Sequence, residues 1–321
     1  MRDDQQTDVL ERIIHEFSPS SIRMEVTFEQ FMAKNGSVGS KPDMTIERTY
    51  IETSKGERSY EEIQILPGTD TTRTKYFSDG KKLSYVFYKP GDTSKVAAAG
   101  EERDFRREVK WGYYEAPEPF RYSRVGMTPL QDVLPNARKL GETEVIGRPC
   151  DQYFFEEVKI PGGASQSLVY TLDRATSVPL KVAAYRDARH LDNDRPTWVW
   201  EALSLDTINN HHFPLKSQYQ EYLWSQADQD HTTQLHFKEF IEVKSIEYDA
   251  SYPATMFWPK AEIAESEAME KAALTSAPTP VTQVANPIRV DPNGESWPMW
   301  PGLVLSGVLL IAALIVRIRT R

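Results

Sequence analysis

The chain contains 321 residues, of which 40% are hydrophobic and 11% aromatic, enough apolar material for one or two domains with a sizeable core. Its formal net charge is −9, and acidic and basic residues are mixed along the sequence without a concentrated basic patch, which argues against a nucleic-acid-binding surface. The single cysteine, Cys150, cannot form an internal disulfide, and its alternating surroundings predict a packed thiol rather than a nucleophile.

The N-terminal part of the chain predicts one amphipathic helix followed by a β-meander. Apolar residues recur with helical periodicity over residues 3–17, and polar residues occupy the opposite side. Apolar and polar residues then alternate strictly from Ile22 to Glu29, as in a half-buried strand. Further short runs of β-branched and aromatic residues predict strands, and Asp79-Gly80 predicts a tight hairpin turn. These runs cover residues 44–53, 59–66, 72–78 and 82–89.

The rest of the domain predicts more antiparallel strands after a segment without alternation. Residues 91–140 lack a strand pattern and predict short helices and loops, whereas residues 141–249 resume the alternation. The whole pattern predicts a mainly β fold of the α+β type, with about ten antiparallel strands in one large curved sheet or half-barrel and covering helices. The later predicted strands cover residues 141–160, 165–173, 180–187, 197–208, 213–225 and 232–249.

The C-terminal residues predict a membrane anchor. The segment 299–316 carries no charged residue, and as a helix it would span roughly 27 Å of hydrocarbon. Tryptophans 297 and 300 flank one end and arginines 317, 319 and 321 the other, which predicts a transmembrane helix with a cytoplasmic C-terminus. The predicted organisation is a curved-sheet domain over residues 1–260, a helix-prone and proline-rich linker over 261–296, and the transmembrane helix with its basic tail over 297–321.

This orientation places the N-terminal domain outside the cytoplasm, as in a single-pass inner-membrane protein. The sequence around residues 1–17 has no apolar signal-peptide core, so the export signal would lie upstream of the given start or have been removed. The alternative is a tail-anchored protein whose domain stays in the cytosol. A buried C-terminal core helix is the other interpretation of the apolar segment.

The sequence contains no familiar catalytic motif. A glycine-rich phosphate loop, a G-x-S-x-G nucleophile elbow and an H-E-x-x-H metal motif are all absent. We therefore expect a protein that is not an enzyme and needs no cofactor.

Histidines and paired acids also fail to predict a catalytic or metal site. Successive residues of a strand point to opposite faces, so adjacent His211 and His212 should contribute at most one ligand to a common site. His231 and His236 are separated by an odd spacing and should behave in the same way. We therefore expect no bound metal. Paired acids such as Glu61-Glu62 predict a solvated face.

The strands carry more aromatic residues than a sheet with one buried face needs. One interpretation is a solid core, with the sheet covered by helices on one side and by the long middle segment on the other. The other interpretation is a sheet curved around an apolar ligand, with helices as a lid. The candidate residues for the wall of that apolar cavity are Met24, Val26, Phe28, Tyr85, Phe87, Tyr153, Phe155, Tyr170, Trp198 and Trp200.

Three stretches of this sequence resemble a known family. The hairpin "YFSDGKKLSYV" and the later "VIGRPCDQYFFE" with "LVYTLDRATSVPLKVAAY", after a leading helix and an alternating first strand, resemble the LolA and LolB lipoprotein carriers and the related sensor domain of RseB. The resemblance runs in order over residues 3–249. It implies a half-open antiparallel barrel that accepts acyl chains in an export compartment. The C-terminal anchor is a departure, because those carriers are soluble or anchored at the N-terminus.

Two functions follow from the residues and the resemblance together. The first is a non-enzymatic, membrane-tethered extracytoplasmic module that binds lipid or lipoprotein acyl chains. The second is an envelope sensor or adaptor that binds a peptide or a mislocalised lipoprotein and acts through a membrane-protein partner. The expected partners are therefore the inner-membrane bilayer, an acyl chain and a membrane protein, without nucleic acid.

Overall fold

The structure is a computed structural model that describes residues 4–17, 19–55, 57–69, 71–79, 83–102, 122, 124–126, 128–159, 165–224 and 233–276. Residues Met1–Ser276 form one compact unit. Within these described ranges, no helix is both long enough and apolar enough to cross a membrane. The predicted transmembrane helix at 297–321 lies outside them.

Seventeen strands and four α-helices are found in the described ranges. The strands are β1 Ser21–Met32, β2 Met44–Thr53, β3 Glu57–Ile65, β4 Thr72–Asp79, β5 Leu83–Lys89, β6 Asp92–Glu102, β7 Arg124–Val125, β8 Thr128–Pro129, β9 Arg138–Val145, β10 Arg148–Lys159, β11 Ser165–Asp173, β12 Pro179–Tyr185, β13 Trp198–Ala202, β14 Asp206–Ile208, β15 His211–Phe213, β16 Lys216–Trp224 and β17 Thr233–Tyr248. The helices are α1 Asp4–Phe17, α2 Leu130–Val133, α3 Ala188–Asp192 and α4 Lys260–Ser276, with 3-10 turns at Leu134–Asn136 and Ala254–Phe257.

Thirteen strands form one antiparallel sheet in the order β6-β5-β4-β3-β2-β1-β17-β16-β13-β12-β11-β10-β9. The strands β6 and β9 are its two edges, so the sheet does not close into a barrel. Two small hairpins, β7–β8 and β14–β15, lie outside it. The predicted large antiparallel sheet with few helices is confirmed, and the predicted meander is confirmed for β1 to β6.

Pairing of β1 with β17 joins the two halves of the sheet. The register runs from Ile22 opposite Tyr248 to Met32 opposite Phe237, with one shift after Glu25. The other pairings in the sheet connect strands that lie near one another along the chain, whereas this pairing connects residues more than 200 positions apart. The N-terminal meander and the C-terminal strands therefore form one sheet, and each face of this sheet extends over both halves.

The structure corrects three of the strand predictions. The predicted strand 141–160 is divided into β9 and β10 by a turn at Ile146-Gly147. Residues 92–102 form the edge strand β6, although the segment 91–140 was predicted to hold only helices and loops. Alternation is weak there because β6 contains Ala98 opposite Phe87 and Gly100 opposite Tyr85, so small residues face large rings. A Cβ at Gly100 would lie 3.0 Å from the Tyr85 hydroxyl, so the Tyr85 side chain would have to shift slightly to admit a larger residue. The predicted strand 197–208 is divided into β13 and β14.

Helices cover both faces of the sheet at different places. The main buried cluster contains Leu10 and Ile13 of α1, Leu130 of α2, and the apolar side chains of β1. We call the side of the sheet that bears these β1 side chains the α1 face. On the opposite face, Met269 of α4 packs on a small cluster of β4 to β6, and Leu191 of α3 packs on another of β10 to β13.

A buried aspartate fixes the turn between β11 and β12 and links it to α1. Asp173 is 2% exposed, and its carboxylate accepts hydrogen bonds from Nε and Nη2 of Arg148 at 2.9 and 3.0 Å. The backbone N–H and the hydroxyl of Thr176 donate to the same carboxylate at 2.9 and 2.8 Å. Arg12 of α1 then donates through Nε to the hydroxyl of Ser177 at 3.0 Å. Burial raises the pKa of Asp173, but the hydrogen bonds from Arg148 and Thr176 outweigh it, and the pKa lies below its ordinary value.

Replacement of Asp173 by Asn should lower the free energy of unfolding by about 1–3 kcal/mol at pH 7, because an amide cannot satisfy all these donors. The depressed pKa means that the carboxylate stabilises the fold fully above about pH 4 and loses this effect as the pH falls through its folded-state pKa. Urea denaturation at pH 7 and at pH 3 should therefore show a difference between wild type and Asp173→Asn that shrinks in acid. The exposed Asp206→Asn serves as the control, and equal midpoints for all three proteins at pH 7 would contradict the role given to Asp173.

Candidate functional site

One face of the sheet carries a row of aromatic side chains that crosses its N-terminal half. Directly opposed residues of an antiparallel pair point to the same face. The registers place Tyr85 opposite Tyr76, Tyr76 opposite Tyr60, Tyr60 opposite Tyr50, and Tyr50 opposite Met24. Since Met24 belongs to the buried cluster beneath α1, this row lies on the α1 face.

The row continues through the C-terminal half of the sheet. Trp200 is opposite Tyr219 on one side and Val182 on the other, and Val182 is followed by Tyr170 and Tyr153 across the next two pairs. Alternation along the strands puts the remaining candidate side chains on the same face. All ten residues predicted from the sequence therefore point to the α1 face.

These ten side chains differ in how far they are covered. Those in the middle and in the C-terminal half are mostly buried in the main cluster. The buried ones are Met24, Val26, Phe28, Phe155, Tyr170 and Trp200, and the half-buried ones are Tyr85, Phe87, Tyr153 and Trp198. The ligand contact predicted for them stays a prediction, and their common face is an observation.

Trp200 lies in solid packing. It is completely buried, and the ring of Tyr122 lies 4.5 Å from it between centroids, at an angle of 35°. Its neighbour on the same face, Trp198, is half-buried and donates through Nε1 to Oε1 of Gln166 at 3.2 Å. Of these two tryptophans, only Trp198 has surface left for a ligand.

The N-terminal half of the row is less covered. Consecutive rings lie within van der Waals reach: the centroids are 5.2 Å apart for Tyr50 and Tyr60, 5.8 Å for Tyr60 and Tyr76, and 6.3 Å for Tyr76 and Phe87. Tyr85 and Phe87 are 5.1 Å apart, and neither belongs to the buried clusters of the described residues. We call the rings from Tyr50 to Phe87, over β2 to β5, the tyrosine row.

An ion pair lies beside the tyrosine row on the same face. Arg48 donates through Nε to Oε2 of Glu62 at 2.8 Å, and the two side chains are only 21% and 14% exposed. The guanidinium carbon lies 4.5 Å above the ring of Phe28. The carboxylate of Glu62 also accepts hydrogen bonds from the Tyr60 hydroxyl and from Nε2 of Gln64. The Arg48 guanidinium is thus held at the end of the tyrosine row next to β1, beside half-buried apolar surface.

The surroundings keep both partners charged. Burial disfavours the charged guanidinium, but Tyr60, Tyr50, Glu62 and Glu239 outweigh it, and the pKa of Arg48 lies well above its ordinary value. Burial likewise raises the pKa of Glu62, and Arg48 with the hydrogen bonds from Tyr60 outweighs it, so this pKa lies below its ordinary value. The predicted solvated face is wrong for Glu62, whose side chain is only 14% exposed. Its neighbour Glu61 points to the other side of the sheet, where it contacts Arg73 and Lys75.

Histidines 211 and 212 both lie near one carboxylate. The buried carboxylate of Glu16 contacts Nδ1 of His212 at 2.9 Å and Nδ1 of His211 at 3.9 Å. Adjacent strand residues reach one carboxylate because Glu16 lies on α1, against the hairpin β14–β15 rather than within it. His236 lies on β17, and His231 lies outside the described residues.

Cys150 is unsuited to nucleophilic chemistry. The thiol is completely buried and donates to the carbonyl of Arg148 at 3.2 Å. Burial raises its pKa to about 11, which leaves little thiolate at neutral pH. The predicted packed thiol is confirmed.

Loss of Arg48 should leave the carboxylate of Glu62 buried without a cation. The substitution Arg48→Met is expected to lower the free energy of unfolding by about 3–5 kcal/mol, whereas the double variant Arg48→Met/Glu62→Gln should lose less because no charge is left behind. Urea denaturation of the two single variants and the double variant measures this coupling. The more exposed pair Arg23–Glu25 provides the control, since Arg23→Met should cost less than about 1 kcal/mol. A double variant at least as unstable as Arg48→Met would contradict the pairing.

Comparisons with known proteins yield structural matches only. No protein-family model matches this sequence, and no curated protein matches it. Three similar crystal structures are a DUF1329-family protein from Desulfovibrio piger ATCC 29098 (13% identity, 80% of this chain and 97% of that chain, TM-score 0.48), a putative outer membrane lipoprotein-sorting protein domain from Vibrio parahaemolyticus (10%, 80% and 97%, 0.45) and a LolA superfamily protein from Nitrosomonas europaea (9%, 80% and 98%, 0.41).

One of these crystal structures is of a LolA superfamily protein, and the sequence resembles that superfamily. Identities and TM-scores at this level carry no functional conclusion. The function proposed below rests on the residues of this chain.

Proposed function

We propose that the chain is a non-enzymatic binding module whose α1 face holds an acyl chain of a lipid or lipoprotein. The observation that carries this proposal is the tyrosine row, which keeps half-buried rings at Tyr85 and Phe87 next to the buried core. Aromatic side chains supply large apolar contact area with few rotatable bonds, which suits a flexible hydrocarbon ligand.

The energetics fit reversible binding. Burial of about 15 methylenes releases roughly 12 kcal/mol before the costs of association and chain ordering are subtracted. The remainder is sufficient for capture and small enough for release. No catalytic side chain is needed for this task.

In the ion pair beside the tyrosine row, the Arg48 guanidinium supplies a positive charge for the anionic group of a ligand. The Arg48 guanidinium lies above Phe28 and donates through Nε to Glu62 and through Nη1 to the Tyr50 hydroxyl, and a guanidinium has five N–H donors in all. An amphiphile with a carboxylate or phosphate group would place its hydrocarbon on the rings and its charge toward Arg48.

The binding test compares two charge insertions at half-buried apolar positions. Phe87→Glu puts a carboxylate on the tyrosine row in β5, and Ile63→Glu puts one on the opposite face of the sheet in β3, two strands away. A chain that ends at Ser276 is suitable, because Met1–Ser276 form one compact unit. We expect a fluorescent fatty-acid probe to bind to wild type and to Ile63→Glu, and to bind at least tenfold more weakly to Phe87→Glu, since about 1.4 kcal/mol of lost contact suffices.

Circular dichroism and melting curves should show that all three proteins are folded. Equal probe binding by Phe87→Glu and Ile63→Glu would exclude the tyrosine row as the site. A folded wild type that binds no probe would leave the sensor or adaptor function, with a peptide as the ligand.

We further propose that the domain lies outside the cytoplasm and is tethered by the segment 297–321. The arginines at the C-terminal end of that segment support this orientation. In intact spheroplasts an added protease should degrade the domain. Its full protection while the inner membrane is intact would support a cytosolic, tail-anchored protein instead.

A further inference from the structure

The C-terminal turn of α1 brings a buried carboxylate against two histidines of the hairpin β14–β15. The side chain of Glu16 is only 5% exposed. Its Oε2 accepts the backbone N–H of His212 at 2.6 Å, and its Oε1 lies 2.9 Å from Nδ1 of the same residue. The carboxylate is therefore fixed in position by one neighbour while one side of it faces His211.

His211 has a buried ring nitrogen without a hydrogen-bond partner among the described residues. Its Nδ1 is inaccessible to solvent, and the nearest oxygen of Glu16 is 3.9 Å away, beyond hydrogen-bond distance. The ring is held between two others: the His15 ring lies 4.9 Å away and the Tyr248 ring 4.5 Å away between centroids. A buried polar atom without a hydrogen-bond partner costs free energy, so the burial of this unpaired nitrogen needs an explanation.

His15 completes a compact set of ligand atoms. Its Nδ1 lies 3.7 Å from Oε1 of Glu16, and its side chain is 59% exposed. One ligand atom each from His15, Glu16 and His211 lie within 4.8 Å of one another. Donors about 2.0–2.1 Å from a tetrahedral zinc ion are roughly 3.4 Å apart, so contraction of a few tenths of an ångström to about 1.5 Å would bring these three into coordination.

We propose that His15, Glu16 and His211 bind one Zn²⁺ or a similar divalent transition-metal ion. Two imidazoles and one carboxylate are a ligand set that zinc accepts, and three protein ligands leave a fourth position for water. The His15 ring is exposed, so it can rotate away from its stack with His211 and direct a nitrogen lone pair toward the ion. The same exposure gives the ion an entry path from solvent. His212 is not a ligand in this arrangement; it orients the carboxylate through its two contacts with Glu16.

Such an ion would connect α1 to the hairpin β14–β15. These elements already meet through Glu16 and its histidines, Phe213 of β15 shares a buried cluster with Leu10 and Ile13 of α1, and α1 covers the middle of the α1 face. The metal would therefore stabilise the folded position of α1. This inference does not depend on the ligand proposed for the tyrosine row.

The test uses the full chain in detergent after removal of metals with a chelator. We expect isothermal titration with Zn²⁺ to give one ion per chain, and Co²⁺ to produce the visible absorption band of a low-coordinate site. His15→Gln should weaken Zn²⁺ binding at least tenfold while the protein stays folded, because this side chain is largely exposed. His211→Gln should also abolish the Co²⁺ band.

His190→Gln is the matched control, because His190 contacts Asp187 on another part of the surface. It should bind Zn²⁺ as wild type does. Zinc should raise the melting temperature of wild type and of His190→Gln but leave that of His15→Gln unchanged. A wild type that binds neither ion, or equal binding by His15→Gln and His190→Gln, would overturn the proposal and leave the cluster as a hydrogen-bonded contact between α1 and the hairpin.

Discussion

The antiparallel pairing of β1 with β17 is the interaction on which the rest of the structure depends. Apolar and polar residues alternate strictly from Ile22 to Glu29 of β1, and the register with β17 brings Met24 opposite Ile246 and Phe28 opposite Ile241. A slip by one residue would turn every one of these side chains to the other face. Because the partners are separated by more than 200 residues, the entropic cost of closing this long loop must be recovered from the buried side chains.

The position of α1 follows from the same pairing. Helix α1 ends just before β1, and the segment after β17 lies beside it: Asp249 accepts hydrogen bonds from the N–H and the hydroxyl of Ser20 at 2.8 and 2.7 Å. Tyr248, the last residue of β17, stacks on His211 of the hairpin that contacts α1. Burial, together with Glu16 and Asp249, raises the pKa of its phenol. The junction of the two halves is thus also the place where the helix is attached.

A continuous α1 face is the consequence that matters for function. The tyrosine row of β2 to β5 adjoins Met24, Val26 and Phe28 of β1, and the β1–β17 pairing extends this core into the C-terminal half of the sheet. In the C-terminal half, Tyr122 fills the space above Trp200, and α2 adds Leu130 to the same cluster. In the N-terminal half, α4 packs on the opposite face and leaves Tyr85 and Phe87 half-buried. Trp200 therefore lies in a packed part of the face, whereas Tyr85, Phe87 and Trp198 keep surface available to a ligand.

Local patterns predicted those features that depend on periodicity. The helix over residues 3–17 and the alternating strand from Ile22 are found as α1 and β1, because each buries one side against the core. The registers place the aromatic candidates on one face, and their contact with a ligand stays a prediction. The edge strand β6 was missed because Gly100 and Ala98 fit against large rings of β5, a packing relation between strands that the segment itself does not reveal.

The polar contacts were not accessible to the same reasoning. In the sequence, Glu62 is one of two adjacent acids that suggest an exposed position. It is a buried ion-pair partner only because Arg48 lies opposite it on the neighbouring strand. Likewise, the alternation rule separates His211 from His212 within their hairpin, but it cannot anticipate that a carboxylate from α1 lies between them and the helix. Contacts between elements distant in sequence decide both sites.

The most direct test of the central claim is native mass spectrometry of the full chain, purified from its own membranes in a mild detergent. If the α1 face holds an acyl chain, the spectrum should contain a population with one additional lipid-sized mass, and fragmentation of that species should release a molecule with a fatty-acyl group. A protein that retains no such molecule, and acquires none after incubation with total membrane lipids, would contradict the account.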